Sequence, residues 1–329
     1  MDGDGGESFL WRSTDGGTTW NDTGGRTAGR HSTVVMIDNN TKVLSIGGKN
    51  TDIDGYMPQC TSSNWGGSWG DERKTPFSEL GSNQRPCVTR MANGKLAFCC
   101  DAQHRHGDRP SLPYPRGCIV AISDNDGGSW HIKNLPVTLC HEGDRDDGTL
   151  GYSTIRQAPN GVLHVLSTMT HPCLHYELNE AWVYSGAGDI TPETSGGTVN
   201  SYEEYYPGGA LRATWSARTC TDGRYLLNGL QTIYYEDGKK EYEVTYSNGK
   251  KTGTETYRTA DGTKLWSWEH SGNTSVWTHW WDNGQKRIES RWNNYPRARD
   301  LGRNFSGFVA DGPTYHWSRN GDPAGSWNF

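Results

Sequence analysis

A turn signature, Ser-x-Asp-x-Gly-x-Thr-Trp, occurs three times in this chain and limits its possible folds more than any other feature. The copies begin at Ser13, Ser62 and Ser123, which puts them 49 and 61 residues apart, and the later two carry Asn for Asp and Ser for Thr. The Ser and the Asp or Asn bond the backbone of a tight turn, the Gly supplies a positive φ, and the Trp packs under the hairpin. Copies at this spacing predict repeated four-stranded blades, and therefore a β-propeller.

Between the turns, apolar strands recur in the same order. Stretches that begin at Arg30, Arg85 and Tyr152 each contain a short strand, a turn and a second apolar strand. In the last two the turn is Asn-Gly, which is a strong hairpin signal. The 43 Gly, 15 Trp and 16 Tyr suit a turn-rich chain of strands. We therefore expect an all-β propeller of six or seven four-stranded blades, with residues 1–200 forming the blades that carry the signature turns.

A different repeat occupies residues 201–329. Its turn glycines lie 10 to 13 residues apart, and the strands between them are rich in Tyr and Trp. These turns predict a meander of β-hairpins, which either forms an appended sheet or adds further blades and closes the ring with the N-terminal strands. We favour the further blades, because a closed ring leaves no free sheet edge. The turn glycines are Gly238, Gly249, Gly262, Gly272 and Gly284.

Charge and hydropathy argue against two kinds of partner. The net charge is −6 and no basic stripe runs along the chain, so nucleic acid is not an expected partner. No apolar run approaches the ~20 residues that a membrane-spanning helix needs. Nothing in the sequence fixes the oligomeric state.

Aligning the three strand repeats places His31, Arg85 and Tyr152 at the same position of successive blades. The innermost strands of a propeller surround a central funnel, and the residues that open those strands face one rim. An imidazole, a guanidinium and a phenol from separate parts of the chain are therefore expected to converge. Such a set offers a cation and two proton-transferring groups, which predicts a catalytic site.

A polar segment directly follows the apolar residues 96–100 of the second repeat. His104, His106 and Arg109 lie in it, and a loop at this strand end would overhang the funnel. We expect this segment to reach the substrate, with Arg156 of the third repeat as a further candidate. A solvated polar loop is the alternative.

His171, Cys173 and His175 alternate along five residues, so they can converge on one metal ion from a loop or from one face of a strand. The Cys140-His141 pair lies 30 residues upstream, and His141 would complete a tetrahedral set. We expect a structural zinc site here. The alternative is that these residues are ordinary paired residues of the core or of a loop. For the catalytic reaction we expect no cofactor. The eight cysteines also allow disulfides, whereas reduced thiols in the core are the competing interpretation.

The repeated signature, together with Gly151-Tyr152-Ser153 and the Asn-Gly hairpin after it, resembles the Asp-box (BNR, sialidase-like) β-propeller superfamily. The hairpins of residues 201–329 resemble the MORN-like repeats of bacterial antitoxin-type proteins. In sialidases the Tyr of a Tyr-Ser strand of this kind is the catalytic nucleophile, and that role would fall on Tyr152. The Arg-Ile-Pro motif of sialidases does not occur in the sequence. The resemblance implies a secreted or periplasmic protein, and since no signal peptide precedes the first strand, we expect a trimmed start.

Within that superfamily, the chain is similar to the propeller-type ulvan lyases in its repeat pattern and in the order His, then Tyr. This resemblance covers about residues 1–190 and implies β-elimination on an acidic polysaccharide that contains uronic acid. In such a reaction a base removes the C5 proton, an acid protonates the departing O4 oxygen, and a cation neutralises the carboxylate. The expected roles are an acid–base pair of Tyr152 and His104, a carboxylate contact by Arg85, and sugar contacts by His31, His106, Arg156 and Arg109.

Three other functions fit the sequence. A sialidase-like glycoside hydrolase would need a pair of carboxylates. A glycan-binding propeller would use aromatic side chains without proton chemistry, and a scaffold would bind a partner protein through its MORN-like half. The carboxylates considered for a hydrolase are Glu142, Asp144, Asp146, Glu177 and Glu180.

Overall fold

The fold is all-β, as the turn and strand patterns predicted. In this computed structural model, the described secondary structure consists of 27 strands and one five-residue helix. The chain divides into two compact units, residues 1–178 and residues 179–329. The structure describes residues 7–38, 40–48, 51–80, 84–102, 111–115, 117–135, 139–140, 148–149, 151–166, 175–178, 180–184, 197–219, 225–272, 274–293, 304–305 and 308–328.

The first unit is built of small antiparallel sheets. Its strands are β1 (Glu7–Arg12), β2 (Asn21–Ala28), β3 (Thr33–Met36), β4 (Val43–Ile46), β5 (Tyr56–Ser62), β6 (Arg73–Ser78), β7 (Cys87–Arg90), β8 (Leu96–Ala102), β9 (Gly117–Ser123), β10 (His131–Asn134), β11 (Leu139–Cys140), β12 (Gly148–Thr149), β13 (Thr154–Gln157), β14 (Leu163–Leu166) and β15 (His175–Leu178). Two four-stranded sheets, β3-β4-β5-β6 and β7-β8-β9-β10, are meanders in which each strand pairs with its sequence neighbour. β13-β14-β15 form a three-stranded sheet, and β1-β2 and β11-β12 are two-stranded. The predicted four-stranded repeat is therefore present in the second and third sheets along the chain.

Aromatic side chains of the two four-stranded sheets share one core. Phe77 of β6 stacks on Phe98 of β8 with ring centroids 4.2 Å apart, and both rings are fully buried. Trp130 of the third signature turn meets Phe77 edge-on at 5.3 Å, as expected for a Trp under its hairpin. Trp20 of the first turn differs, since it is 56% exposed and its Nε1 donates to the Gly17 carbonyl of its own turn. The signature therefore fixes the turn more strictly than it fixes the position of the Trp.

The signature turns make the hydrogen bonds that their residues allow. In the third turn, the Gly127 amide donates to Ser123 Oγ at 2.9 Å, and the Ser129 amide donates to Asn125 Oδ1 at 2.8 Å. The same turn docks on the preceding sheet, because the Gly127 carbonyl accepts from Gln59 Nε2 at 3.0 Å. The signature therefore closes a local turn and also joins neighbouring sheets.

Gly127→Ala is expected to destabilise the first unit by about 2–4 kcal/mol, against about 1 kcal/mol for Gly17→Ala. Both glycines have a positive φ, 85° and 92°, so the backbone strain is similar. A Cβ at Gly127 would lie 2.9 Å from Leu44 Cδ2, whereas at Gly17 the nearest atom is Trp20 Cζ2 at 3.9 Å. Urea unfolding of the two variants measures the difference. Equal losses of stability would contradict a docking role for the third turn.

The described residues of the second unit form one short helix and one large sheet. The elements are α1 (Glu180–Tyr184), β16 (Val199–Tyr205), β17 (Leu211–Thr219), β18 (Tyr225–Leu227), β19 (Gly229–Tyr234), β20 (Lys240–Ser247), β21 (Lys250–Arg258), β22 (Lys264–Ser271), β23 (Thr274–Trp280), β24 (Lys286–Asn293), β25 (Asn304–Phe305), β26 (Phe308–Trp317) and β27 (Pro323–Asn328). The order is β16-β17-β19-β20-β21-β22-β23-β24-β26-β25, with β18 on β17 and β27 on β26, which makes twelve strands in one sheet. The sequence favoured separate blades here. Of the two arrangements it left open, the strand pairing corresponds to the single sheet.

Tight turns explain why the hairpins stay in one ladder. The Tyr235 amide donates to the Lys239 carbonyl at 2.8 Å, and the Gly238 amide donates back to Tyr235 at 2.9 Å. At the other end of β20, Asn248 has a φ of 47° and Gly249 a φ of 81°, so these two residues suffice to connect β20 with β21. A new blade needs a longer connection, because the chain must step to a neighbouring inner strand. These short turns leave no residues for that step.

Across the described part of the chain, no helix is long and apolar enough to span a membrane.

Candidate active site

The opening residues of the second and third repeats lie side by side. Arg85 and Tyr152 form a parallel bridge just before β7 and β13, and the Arg85 amide donates to the Gly151 carbonyl at 3.0 Å. On the other flank of β7, the Val88 amide donates to Thr33 Oγ1 of β3 at 3.0 Å. The first strands of three successive sheets are therefore neighbours, which is the relation that inner strands have in a propeller.

This pairing brings His31, Arg85 and Tyr152 together. The His31 and Tyr152 rings meet edge-on, with centroids 5.8 Å apart and planes at 70°. The Arg85 guanidinium carbon lies 5.5 Å from the centroid of the Tyr152 ring. Arg85 is exposed and the two rings are half-buried, so a solute can reach the cation and the ring edges. The three residues that the repeat alignment singled out thus form one cluster, although their catalytic roles stay predictions.

Backbone contacts hold the cluster in place. His31 has a φ of 55°, a left-handed conformation that costs a non-glycine residue about 1–2 kcal/mol. Such strain is typical of sites where function dictates the position of a side chain. A Cβ at Gly48 would lie 2.9 Å from the His31 carbonyl oxygen, so Gly48 permits the close approach of this strained segment. The Ser153 hydroxyl donates to the Arg85 carbonyl at 2.9 Å, which ties the second and third repeats together.

A buried polar pair, Gln84 and Asp101, lies next to His31. Gln84 is fully buried, and its side-chain Nε2 donates to Asp101 Oδ2 at 2.6 Å. Its backbone carbonyl oxygen lies 3.5 Å from His31 Nδ1. Asp101 is 2% exposed and also accepts from Cys118 Sγ at 3.5 Å. This carboxylate is therefore engaged in the core and closed to a substrate. Sequence reasoning missed Gln84, although its place directly before Arg85 was a usable signal.

Several predicted site residues lie outside the described residues, and their roles stay predictions. They include the three members of the polar segment after β8 and most of the predicted zinc set. Arg156 is described: it lies exposed on β13, and its Nη1 donates to the Ile155 carbonyl at 3.0 Å. The residues outside the described ranges are His104, His106, Arg109, His141, His171 and Cys173.

His175, the described member of the predicted zinc set, has two further neighbours that the sequence did not point to. It lies on β15 beside His164 of β14, with His175 Nε2 and His164 Nδ1 only 2.9 Å apart. Glu177 completes a group whose ligand atoms all lie within 4.8 Å of one another. Sequence reasoning considered Glu177 for hydrolysis and passed over His164. Writing Leu163-His-Val-Leu against His175-Tyr-Glu-Leu as a hairpin would have placed all three on one face.

Five cysteines of the described residues are free thiols, so the disulfide interpretation does not hold for them. Four are buried and Cys87 is partly exposed. Burial raises the pKa of the Cys99 and Cys100 thiols, which keeps them protonated and poorly reactive. They behave as core residues. The buried thiols are Cys60, Cys99, Cys100 and Cys118.

The carboxylates considered for hydrolysis are only partly described. Glu177 is exposed on β15, and Glu180 begins α1 after the strand has ended at Leu178. These two acids therefore do not lie on one continuous strand. Glu142, Asp144 and Asp146 lie outside the described residues.

Comparison with known proteins identifies one repeat. The family described as "MORN repeat variant" matches residues 227–248, from the end of β18 to the turn after β20, which confirms the MORN-like resemblance for that stretch. No curated protein matches the sequence.

Solved structures are similar to this chain only at a low level. A family 117 glycoside hydrolase from Zobellia galactanivorans has 14% identity and a TM-score of 0.33, with 82% of this chain and 86% of that chain covered. An alpha-L-arabinofuranosidase from Clostridium thermocellum has 12% identity and a TM-score of 0.31, with 70% and 80% covered. An alpha-L-arabinanase from Penicillium chrysogenum has 12% identity and a TM-score of 0.30, with 79% and 81% covered. Similarity at this level assigns neither a family nor an activity to the chain.

Proposed function

We propose that this protein is a carbohydrate-active enzyme that cleaves an acidic, uronic-acid-containing polysaccharide by β-elimination. The observation that carries the proposal is the contact of His31, Arg85 and Tyr152, which come from three repeats and meet at the opening of their first strands. A cation beside two groups that exchange protons is the minimal set that this reaction requires.

The chemistry assigns each group a task. A base takes the C5 proton of the uronic acid, the electrons of that C–H bond form the C4–C5 double bond, and the C4–O4 bond breaks. An acid then delivers a proton to the departing O4 oxygen. Arg85 neutralises the carboxylate at C5, which makes the C5 proton acidic enough to remove. The products are an unsaturated sugar and a new chain end.

Tyr152 and a histidine divide the acid and base roles in this proposal. The sequence pointed to His104, whose role stays a prediction because it lies outside the described residues. Among the described residues, His31 is the imidazole beside the Tyr152 ring, so we assign it to the proton transfer as well as to sugar binding. The strained backbone of His31 supports a functional role for its position.

Among the described residues, the carboxylate next to the cluster gives little support to a hydrolase. Asp101 is linked to the cluster through Gln84, and it is buried and hydrogen-bonded. A glycosidase needs two carboxyl groups that reach the glycosidic bond from either side. Elimination needs no such pair, so it is the reaction that the described cluster favours. A secreted or periplasmic location, where such polysaccharides occur, belongs to the same proposal.

The direct test is to incubate the protein with a panel of uronic-acid polysaccharides, ulvan first, and with neutral glycans as the control. We expect an increase in the ultraviolet absorbance of the conjugated double bond with an acidic substrate alone. New reducing ends without that absorbance would replace the lyase by a hydrolase. Retention of a glycan without any cleavage would replace it by a glycan-binding role.

A further inference from the structure

We propose that His164, His175 and Glu177 form a binding site for a divalent metal ion of the zinc type. The site lies on the hairpin of β14 and β15 and does not depend on the proposed enzymatic activity. It retains one residue of the predicted zinc set, His175, and gives it two new partners.

Strand register places the three side chains on one face. His164 of β14 lies directly opposite Glu177 of β15, and directly opposite residues of an antiparallel pair point to the same side of the sheet. His175 lies two residues before Glu177 and therefore shares that side. The two histidines are half-buried and the glutamate is exposed, so the site is open to ions in solution.

The other face of the same hairpin is anchored in the core. Leu163 and Val165 are fully buried, and their partners on β15, Leu178 and Tyr176, are 9% and 4% exposed. A strand pair held on one face by packing keeps the relative positions of the side chains on its other face. The site is therefore preorganised, which lowers the ordering cost of binding an ion.

The two imidazoles are close to the geometry that a metal ion needs. Their rings are nearly parallel, with an angle of 16° between planes and centroids 5.2 Å apart. The 2.9 Å contact between His164 Nδ1 and His175 Nε2 is a ring N–H···N hydrogen bond that holds one proton. Zinc bonds of 2.0–2.1 Å in a tetrahedral site put two nitrogens about 3.3 Å apart, so the rings must separate by about 0.4 Å and rotate until both nitrogen lone pairs point to the ion. On metal binding the bridging nitrogen loses this proton, and the donating imidazole stays neutral because its other ring nitrogen takes up a proton from solvent.

The ligand set indicates which ion is bound. Two imidazoles and one carboxylate suit zinc and its neighbours in the transition series, whereas magnesium and calcium prefer oxygen ligands alone. Three protein ligands also leave one tetrahedral position for water or another small ligand. We therefore expect one zinc ion for each chain, with cobalt(II) as a spectroscopic substitute.

The test measures zinc binding by competition with a chromogenic chelator, on protein that carries no histidine tag. We expect one equivalent of zinc for wild-type protein and an affinity at least about tenfold weaker for His164→Ala and for Glu177→Gln. Cobalt(II) should give ligand-field absorption bands with the wild type that the two variants lose. Circular dichroism of each variant verifies that it is folded, and the exposed Glu177→Gln keeps the test valid should His164→Ala fail to fold.

The matched control is His131→Ala. His131 is an exposed histidine on β10 that also lies beside a carboxylate, with Nε2 3.4 Å from Asp124 Oδ2. We expect this variant to bind zinc as the wild type does. The proposal is overturned by wild-type protein that binds no zinc, or that binds it no more tightly than folded Glu177→Gln.

Discussion

Tyr152→Phe is expected to lower kcat/KM on an acidic polysaccharide by about 10²–10⁴-fold and to leave the fold intact. The substitution removes only the phenolic hydroxyl. The ring stays, and with it the edge contact to His31 and the contact with the Arg85 guanidinium. Loss of activity without loss of structure would therefore come from the missing proton-transfer group. Steady-state kinetics by ultraviolet absorbance and thermal unfolding of the same protein measure the two effects.

Tyr56→Phe is the control for that experiment. Tyr56 lies half-buried at the start of β5, and its hydroxyl donates to the Ser111 carbonyl at 3.3 Å. The substitution deletes the same kind of hydroxyl from a residue that does not belong to the cluster of His31, Arg85 and Tyr152. We therefore expect wild-type kinetics. A Tyr152→Phe protein with the activity of the Tyr56→Phe control would exclude Tyr152 from the chemistry.

Glu255→Gln is expected to destabilise the second unit by about 3 kcal/mol, because it breaks a buried ionic network. Glu255 is 4% exposed and accepts hydrogen bonds from Lys251 Nζ at 2.9 Å and from Tyr242 OH at 2.7 Å. Its other oxygen lies 2.9 Å from His270 Nε2, and His270 Nδ1 lies 2.9 Å from Ser275 Oγ. Removing the negative charge leaves Lys251, whose side chain is 15% exposed, without its counterion. Urea unfolding followed by Trp fluorescence measures the loss.

The same network predicts how acid affects the second unit. Burial raises the pKa of Glu255, but the Lys251 charge and the hydrogen bonds from His270, Lys251 and Tyr242 outweigh it and lower this pKa to about 2. Because the folded-state pKa lies below the unfolded value of 4.5, the carboxylate contributes its full stability above about pH 4.5. That contribution is lost as the pH falls from 4.5 towards 2. We expect Glu255→Gln to lack this part of the pH dependence.

Glu269→Gln is the matched control for both measurements. Glu269 lies on the neighbouring strand β22, is exposed, and accepts a hydrogen bond from Thr254 Oγ1 at 2.7 Å. Its neutralisation is expected to change stability by less than about 0.5 kcal/mol. If Glu269→Gln lost as much stability as Glu255→Gln, the loss would come from removing any negative charge on this sheet and not from breaking the buried network.

Repetition is the reason that part of the candidate site could be predicted. His31, Arg85 and Tyr152 occupy the same place in three copies of one pattern, so a single alignment predicts that they converge. Gln84 is marked only by its place directly before Arg85, and its contact with Asp101 joins residues 17 positions apart in the sequence. That contact forms because the residue three positions before β7 reaches the end of β8 in the folded chain. A pattern of residue types does not encode such a contact.

The pairing of histidines illustrates the same limit. The spacing of His171, Cys173 and His175 was visible in the sequence, and it led to a zinc set built from residues close together in the chain. In the structure, His175 faces His164, eleven residues away on the neighbouring strand. Which residue lies opposite another depends on the register of the hairpin, and a shift by one residue would turn every side chain to the other face.

The pattern of residue types was enough to predict the all-β class, the three signature turns and the hairpin meander of residues 201–329. The turns depend on hydrogen bonds between residues at most four positions apart, such as Gly127 to Ser123, and on glycines, which adopt a positive φ at the least steric cost. Three features follow from tertiary packing: the described C-terminal strands pair in one sheet of twelve, Asp101 is buried, and His164 contacts His175. Each of these depends on which strand edges meet. That choice is made by packing and register over the whole unit, because every strand edge offers the same backbone donors and acceptors.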